Sequence, residues 1–442
     1  MPCTACGVLK AHTVNSKTYQ SAYNGVILPA MRGGFRLLSL ASPKIRVGLR
    51  GRNGLSDRVR EFRRQYPRER VVLFHCASAG EMQALKPFVG AFKDDGVKLA
   101  VSFFSPSAQA ALERDNPFDF ADYSPADMRL DVNAYLEALR PEIIAITKHD
   151  VWPNFVWTAK DLGIPIFLMN GNFHPESIKQ LPGIRSLHHA VYSAFTEIMV
   201  VSEEDARNAR QVAGDGVVVS VIGDSRFDQV LRRVWQHPEL PPELVTACAE
   251  KKVLVAGSTH GDDEELLIPA VAKLAQQDRD MLTLIIPHDP SPAAKRRVET
   301  QAARYGLSVS DLDANGSSAG ASAILVNRTG MLADLYELGR VAYVGGGFGK
   351  GVHSVLEPLA HRLPVITGPH INVSYEARTA NQLGIVTVVR GRRRFEANVR
   401  RWFYDDAAWE DAGQRADRFV SRHSGATQRI AERLREALSE RA

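Results

Sequence analysis

The chain has 442 residues, 45% of them apolar and 24% charged, with a formal net charge of +5. That length predicts two domains, and the composition is that of an ordinary soluble globular protein, which excludes a fibrous or disordered chain. The charge is unevenly placed: Arg32 to Arg70 holds twelve Lys/Arg against three Asp/Glu, so an anionic surface is met by that region and the chain is not nucleic-acid-binding throughout.

Cys3 and Cys6 have the spacing of half a metal site, but no second pair completes it, and the stretch reads as a disordered leader. Cys76 and Cys248 are isolated and read as buried thiols, a pattern that fits a reducing compartment. No signal-peptide pattern opens the sequence, and no apolar run reaches the ~20 residues that span a bilayer. Tyr23 to Leu40, broken by Pro29 and Gly33-Gly34, is mildly apolar and leads into the arginine-rich stretch. It fits an anionic membrane face and equally a surface helix packed on the domain. Residues 1–45 are assigned as leader and docking segment.

From Val71 strands and helices alternate. Val71–Phe74, Leu99–Phe104, Ile143–Ile146, Ile166–Met169 and Ile198–Val201 are apolar strand runs, and Met82–Phe92 is helical. Ser202 caps a further helix, with Asp205 three residues on. The rhythm restarts with Val253–Ala256, Leu282–Ile286 and Val341–Val344. Such alternation predicts parallel sheets with functional loops after strand C-termini. Two Rossmann-like domains, 46–225 and 251–400, are therefore expected to face a central cleft, joined by a proline-containing linker at 226–250. Residues 315–322 read as a flexible loop and 401–442 as exposed terminal helices.

The loops supply candidates with more than one reading. Glu81, just after the first strand, is placed to take a proton from a hydroxyl, but a glutamate in a first helical turn is also favoured by the helix dipole. Asp150 sits among Lys148, His149, Trp152 and Asn154, a mixed charged and aromatic loop suited to sugar or phosphate. Ser258 and Thr259 fit a phosphate or an N-cap, and His288 fits a phosphate or base contact or a satisfied polar residue. Around Gly345, Gly346, Gly347, Gly349 and Gly351 the pattern is strand, glycine loop, helix, strand. Lys350 there suits a phosphate and Glu357 a ribose, four residues after His353 and on the same side of the expected helix start. The stretch matches neither the GxxxxGK[ST] phosphate loop nor GxGxxG with a distal acid. A nucleotide pocket or a turn that packs a helix both remain open from these residues alone.

Taken together, FHCASAGE (74–81), KHDVWPN (148–154), VSEEDARNARQVAG (201–214), GDSRFDQV (223–230), AGSTHGDDEELL (256–267), IIPHDP (285–290) and YVGGGFGKGVHSVLEPLAHRLPVITGPHINVSYEA (343–377) resemble the Kdo (3-deoxy-D-manno-octulosonic acid) transferases. The resemblance implies an α/β GT-B glycosyltransferase that moves Kdo from CMP-Kdo to a lipid A precursor, with inversion. It places the general base on Glu81 and the CMP contacts on Ser258, His288, Gly346, Gly347, Lys350, His353, Ser354 and Glu357, with Thr259 and Gly349 in the same loops. It implies no metal, no cofactor and no nucleic-acid partner, and docking on the cytoplasmic face of the bacterial inner membrane. Two departures stand out. Lys148 and Asp150 occupy positions where many members carry glutamates, and His288-Asp289 stands where many carry Arg-His. Rival readings are another GT-B enzyme such as a UDP-sugar transferase or epimerase, a nucleotide-sensing protein, and a membrane adaptor.

Overall fold

The computed structural model describes residues 16–113, 115–148, 150–173, 184–236, 239–312 and 320–441. Cys3, Cys6, His149, Pro238 and most of the 315–322 loop lie outside them. Two compact units result, one of Met1–Ser225 with Gly425–Ala442 and one of Arg226–Ser424.

The first unit holds β1 (Arg70–Cys76), β2 (Val97–Phe103), β3 (Phe120–Tyr123), β4 (Ile143–Thr147), β5 (Ile166–Gly171), β6 (Glu197–Val200) and β7 (Val218–Val221). They form one parallel sheet ordered β3-β2-β1-β4-β5-β6-β7. The second unit holds β8 (Lys252–Thr259), β9 (Met281–Pro287), β10 (Val309–Asp311), β11 (Ala323–Leu325), β12 (Val341–Val344), β13 (Val365–Thr367) and β14 (Val386–Val388). Its sheet is again parallel, ordered β10-β11-β9-β8-β12-β13-β14. The central strands are continuous β-branched and apolar runs because helices cover both faces; Val71 to Phe74 and Val253 to Ala256 are fully buried. Strand order reverses between β1 and β4 and between β8 and β12. Loops that leave there diverge and open a crevice at the carboxyl edge, and the expected two Rossmann-like units are thereby present.

Several stretches fold otherwise than the sequence predicts. The segment expected to be a linker forms helices Arg226–Gln236 and Pro242–Cys248, whose Phe227, Val230, Leu244 and Cys248 join the second unit's core. Nor are the terminal helices merely exposed. Phe395, Val399, Trp402, Phe403, Phe419 and Val420 are buried in that same core. The helix Ala426–Ser439 returns to the first unit, where Ile430, Ala431, Leu434 and Leu438 pack with Phe74, Met82 and Phe88. Proline and charge density hid these apolar stripes.

Pro29 and Gly33-Gly34 do not break the N-terminal helix. The backbone stays helical from Ser16 to Ala41: the π-turn at Tyr23–Ile27, where Leu28 N–H bonds Tyr23 O, widens the helix just before Pro29, and the helix runs on through both glycines. No helix among the described residues is long and apolar enough to cross a membrane.

Leu434 is fully buried in the first unit's core. Leu434→Ala is expected to destabilise that unit by about 2–5 kcal/mol, the usual cost of an aliphatic cavity. Denaturant unfolding followed by hydrogen exchange, strand by strand, would check this; an effect confined to β8–β14 would contradict the assignment of this helix.

Candidate functional site

In the first unit the chemistry gathers where β1, β2 and β4 end. The turn after β1 is tied to the turn after β2 by Phe104 N donating to Cys76 O at 3.2 Å and Ser105 N to Ala77 O at 3.0 Å. The helix Ala79–Ala91 then starts, and Glu81 in its first turn accepts the Ala77 N–H at 2.6 Å. The carboxylate is thus held over the strand end. Burial raises its pKa above the ordinary value, an effect opposed by the Ala77 N–H and the Lys148 charge and reinforced by Asp150. A carboxylate in that state is a better proton acceptor near neutral pH.

Asp150 is positioned by a residue that sequence reasoning passes over. His75, within β1 and 1% exposed, has Nε2 3.0 Å from Asp150 Oδ2 and Nδ1 2.9 Å from Ser102 Oγ. An imidazole inside an otherwise apolar strand is the signal that could have exposed it. Lys148 adopts a left-handed φ of +58°, and its N–H donates to Met169 O at 2.9 Å. Backbone strain of that kind costs ~1–3 kcal/mol and concentrates at functional sites. Glu81, Asp150 and Lys148 are therefore brought together.

Beside this cluster the helices Leu28–Ala41 and Pro43–Gly51 wall a cavity of about 460 Å³. Leu28, Met31, Phe35, Ile45, Phe104 and Trp152 make it apolar, while Arg32, Arg36, Lys44 and Arg52 add positive charge. Phe104 stacks on Trp152 at 5.0 Å and carries the Arg52 guanidinium at 4.9 Å. The same Phe104 is bonded to the Glu81 turn, so cavity and carboxylate share a wall. Leu37, Leu38, Leu40 and Val47 on these helices are exposed.

In the second unit β8, β9 and β12 converge. The β8–β9 register shifts between Gly257 and Thr259, with Ser258 at φ +52°. His260 follows and caps the helix Gly261–Gln277: its side chain accepts the Asp263 N–H while Asp263 Oδ2 accepts the His260 N–H at 2.9 Å. Asp263, 1% exposed, also accepts Gly346 N–H at 2.9 Å and Tyr343 O–H at 2.7 Å. The glycines permit the approach. A Cβ on Gly345 would stand 2.1 Å from Ser258 O, one on Gly347 2.6 Å from Gly368 N, and Gly346 has φ +86°.

This approach stacks three imidazoles. Ring centroids are 4.8 Å apart for His260–His288, 5.1 Å for His260–His353 and 4.2 Å for His288–His353, with interplanar angles of 37°, 19° and 20°. One nitrogen from each falls within 4.8 Å of the others, and His260 Nε2 lies 2.8 Å from His353 Nε2. Burial and the neighbouring imidazoles push His353 down to about 4 and lower His288 as well, Asp263 and Asp289 opposing. The capping box at the helix start leaves His260 Nε2 as the nitrogen that faces His353.

Ser258, His288, Gly346, Gly347 and His353 thus line one crevice edge, with Gly349 and Lys350 at the exposed apex of the glycine loop. Thr259 is a correction. Its side chain is buried and its hydroxyl bonds Glu264 Oε1 at 3.0 Å, where the fully buried Glu264 also takes Arg297 at 2.5 and 2.9 Å. It stabilises the helix start and is not a phosphate contact. His353 and Glu357 do not share a helical face either, because the helix begins only at Leu356 (Leu356–Ala360) and His353 precedes it in irregular backbone. Glu357 lies beside Ser354 and lines a small cavity of about 20 Å³ with Arg233 and His361; burial raises its pKa, against the Ser354 hydrogen bond and the Arg226 and Arg233 charges.

The model of the family described as 3-Deoxy-D-manno-octulosonic-acid transferase (kdotransferase) matches residues 51–229. The chain is similar to the 3-deoxy-D-manno-octulosonic acid transferase of Haemophilus influenzae, 24% identical over 76% of this chain and 78% of that one. The Bordetella pertussis protein of the same name is 24% identical over 83% and 87%, and that of Chlamydophila psittaci 26% over 68% and 70%. Among solved structures, a UDP-GlcNAc 2-epimerase from Neisseria meningitidis superposes with a TM-score of 0.60 at 12% identity, covering 84% of this chain and 100% of that one. A glycosyltransferase from Rickettsia africae gives 0.59 at 12%, over 84% and 99%. At such identities these two speak for the fold alone.

Gly345→Ala is expected to force the β8 and β12 turns apart, because the atom it meets is backbone. A destabilisation of about 1–3 kcal/mol or more, with loss of nucleotide binding, should appear in thermal melts with and without CMP. A variant that melts and binds as the parent does would show that the contact between these turns is not needed.

Proposed function

We propose that the chain is a Kdo transferase, a glycosyltransferase that moves Kdo from CMP-Kdo to a lipid A precursor at the cytoplasmic face of the inner membrane. The observation that carries this reading is Glu81. It is a carboxylate fixed at the end of β1, raised in pKa, and sharing a wall with an apolar cavity edged by four basic residues. A glycolipid's acyl chains match the apolar lining, its phosphates match Arg32, Arg36, Lys44 and Arg52, and its sugar hydroxyl is the group for Glu81 to deprotonate.

In this scheme the glucosamine hydroxyl attacks the anomeric carbon of Kdo from the side opposite CMP, which inverts the centre. Glu81 takes the hydroxyl proton, and the C–O bond electrons leave with the CMP phosphate. Asp150, held by His75, is among the groups that raise the Glu81 pKa and so favours proton capture there. The second unit binds the donor: imidazoles and glycine-loop N–H groups meet the phosphate charge, and the Gly261–Gln277 helix adds its positive N-terminal end. A UDP-sugar enzyme is the second reading, favoured only by the fold shared with 2-epimerases. Competition of CMP against UDP for the second unit separates the two.

Glu81→Gln is expected to lower transfer from CMP-Kdo to tetraacylated precursor by at least ~100-fold while CMP binding survives. In the parent enzyme the base must be ionised, so turnover falls as pH drops through its raised pKa, and the acid limb lies above the ordinary carboxylate value of ~4.3. Retained turnover in Glu81→Gln would remove it from the chemistry. For docking, replacing Arg32, Arg36 and Lys44 together by Ser should weaken binding to anionic vesicles by roughly 100-fold, at ~1 kcal/mol for each basic residue near such a surface. Transfer to a detergent-dispersed acceptor should fall less than transfer to a vesicle-embedded one; equal losses would sink the membrane role.

A further inference from the structure

We propose that His260, His288 and His353 form a proton-coupled clamp for the nucleotide phosphoryl group, in which His260 is a fixed N–H donor and the other two gain a proton when the anion binds. The proposal rests on the donor-site reading of the second unit. It adds His260, which the motif reading leaves out, and it assigns a pH dependence to the site.

The geometry supplies each part. The capping box between His260 and Asp263 anchors the imidazole at the helix start and turns its Nε2 toward the cluster. Nε2 lies 2.8 Å from His353 Nε2, a contact between ring nitrogens that a charged oxygen displaces by offering a stronger acceptor. His288 lies against His353 with centroids 4.2 Å apart, is exposed, and is carried on the turn after β9 by its N–H bond to Thr259 O at 3.0 Å. Three donors on adjacent strand ends match three oxygens of a phosphoryl group.

The surroundings keep the empty clamp neutral. Burial and mutual proximity hold His288 and His353 below the ordinary histidine value, so both are uncharged near neutral pH. The charged groups that act on them are Asp263 on the helix after β8 and Asp289 after β9, while Asp262 lies near Gly349 and His370 bonds the Gly349 carbonyl at the glycine loop. Asp263 already accepts two backbone N–H groups and the Tyr343 hydroxyl. Arg297 nearby is held in two bonds by Glu264. An incoming dianion is then the largest change of charge the rings meet, and it draws a proton onto the pair. Two imidazoliums at stacking distance repel, which limits uptake to about one.

The test is calorimetry of the full chain with CMP between pH 6.5 and 8, in two buffers of different ionisation enthalpy. The expected results are uptake of about one proton and affinity that weakens by roughly tenfold per pH unit of increase. Below about pH 6 the phosphate itself protonates and the trend flattens. His288→Arg should bind CMP with a shallower pH profile. His260→Asn should keep the helix cap, hence the melting temperature, yet bind CMP about 10-fold or more weakly. Overturning results are pH-independent CMP affinity without proton uptake, parent-like binding by His260→Asn, or a stoichiometric zinc ion that resists dialysis and is lost in His288→Ala. Inorganic phosphate separates the two levels of inference: pH-dependent phosphate binding without CMP binding would keep the clamp and discard the donor reading.

Discussion

A single buried carboxylate holds the second unit's crevice together. Asp263 accepts the backbone N–H groups of His260 and Gly346 and the hydroxyl of Tyr343, which joins the turn after β8, the turn after β12 and the interior of β12. A charged acceptor satisfies buried donors more strongly than a neutral one and leaves none of these groups desolvated without a partner. The same bonds place His260 against His353 and bring Gly345 under Ser258. With another residue there, the glycine loop has no fixed height above the sheet edge, and the imidazole cluster has no fixed spacing.

The first unit uses the same device. Asp127 accepts the Tyr23 hydroxyl at 2.8 Å and the N–H groups of Asn154 and Phe155 at 3.2 and 2.9 Å. It therefore couples the N-terminal helices, the start of helix Pro153–Asp161 and the loop that presents Asp150. Burial raises its pKa, against the Tyr23 and backbone hydrogen bonds that favour the ionised form. Both units thus keep their chemistry on strand ends while a carboxylate within the packing fixes the turns.

The sheets were legible in the sequence because parallel strands are buried on both faces and leave unbroken apolar runs, as at Val71–Phe74 and Val341–Val344. Their turns marked the site edges for the same reason, and Glu81, His288 and the glycine loop lie there. Individual roles were less legible. Thr259 and Ser258 are adjacent hydroxyls, and only the shift in register with β9 decides that one turns inward to Glu264. His353 and Glu357 have helical spacing, yet the close approach of Gly345 to Ser258 delays the helix to Leu356. His75 and Asp263 depend on partners 75 and 83 residues away for their meaning, which no local pattern encodes. The helix at 426–439 shows an apolar stripe among charges, but which core receives it is a property of the tertiary structure.

That helix bears on the order in which the protein matures. Every strand of the first sheet has been synthesised by Val221, but the apolar face lined by Phe74, Met82 and Phe88 awaits Ile430 and Leu434, roughly 200 residues later. At ~5–20 residues per second a ribosome needs about 10–40 s to deliver them. Through that interval the nascent chain carries an uncovered patch on its earliest-made unit, while the second unit is emerging. The fold therefore links completion of the first unit to completion of the second, and a ribosome stalled between them leaves a sticky, unfinished product for chaperones or proteases.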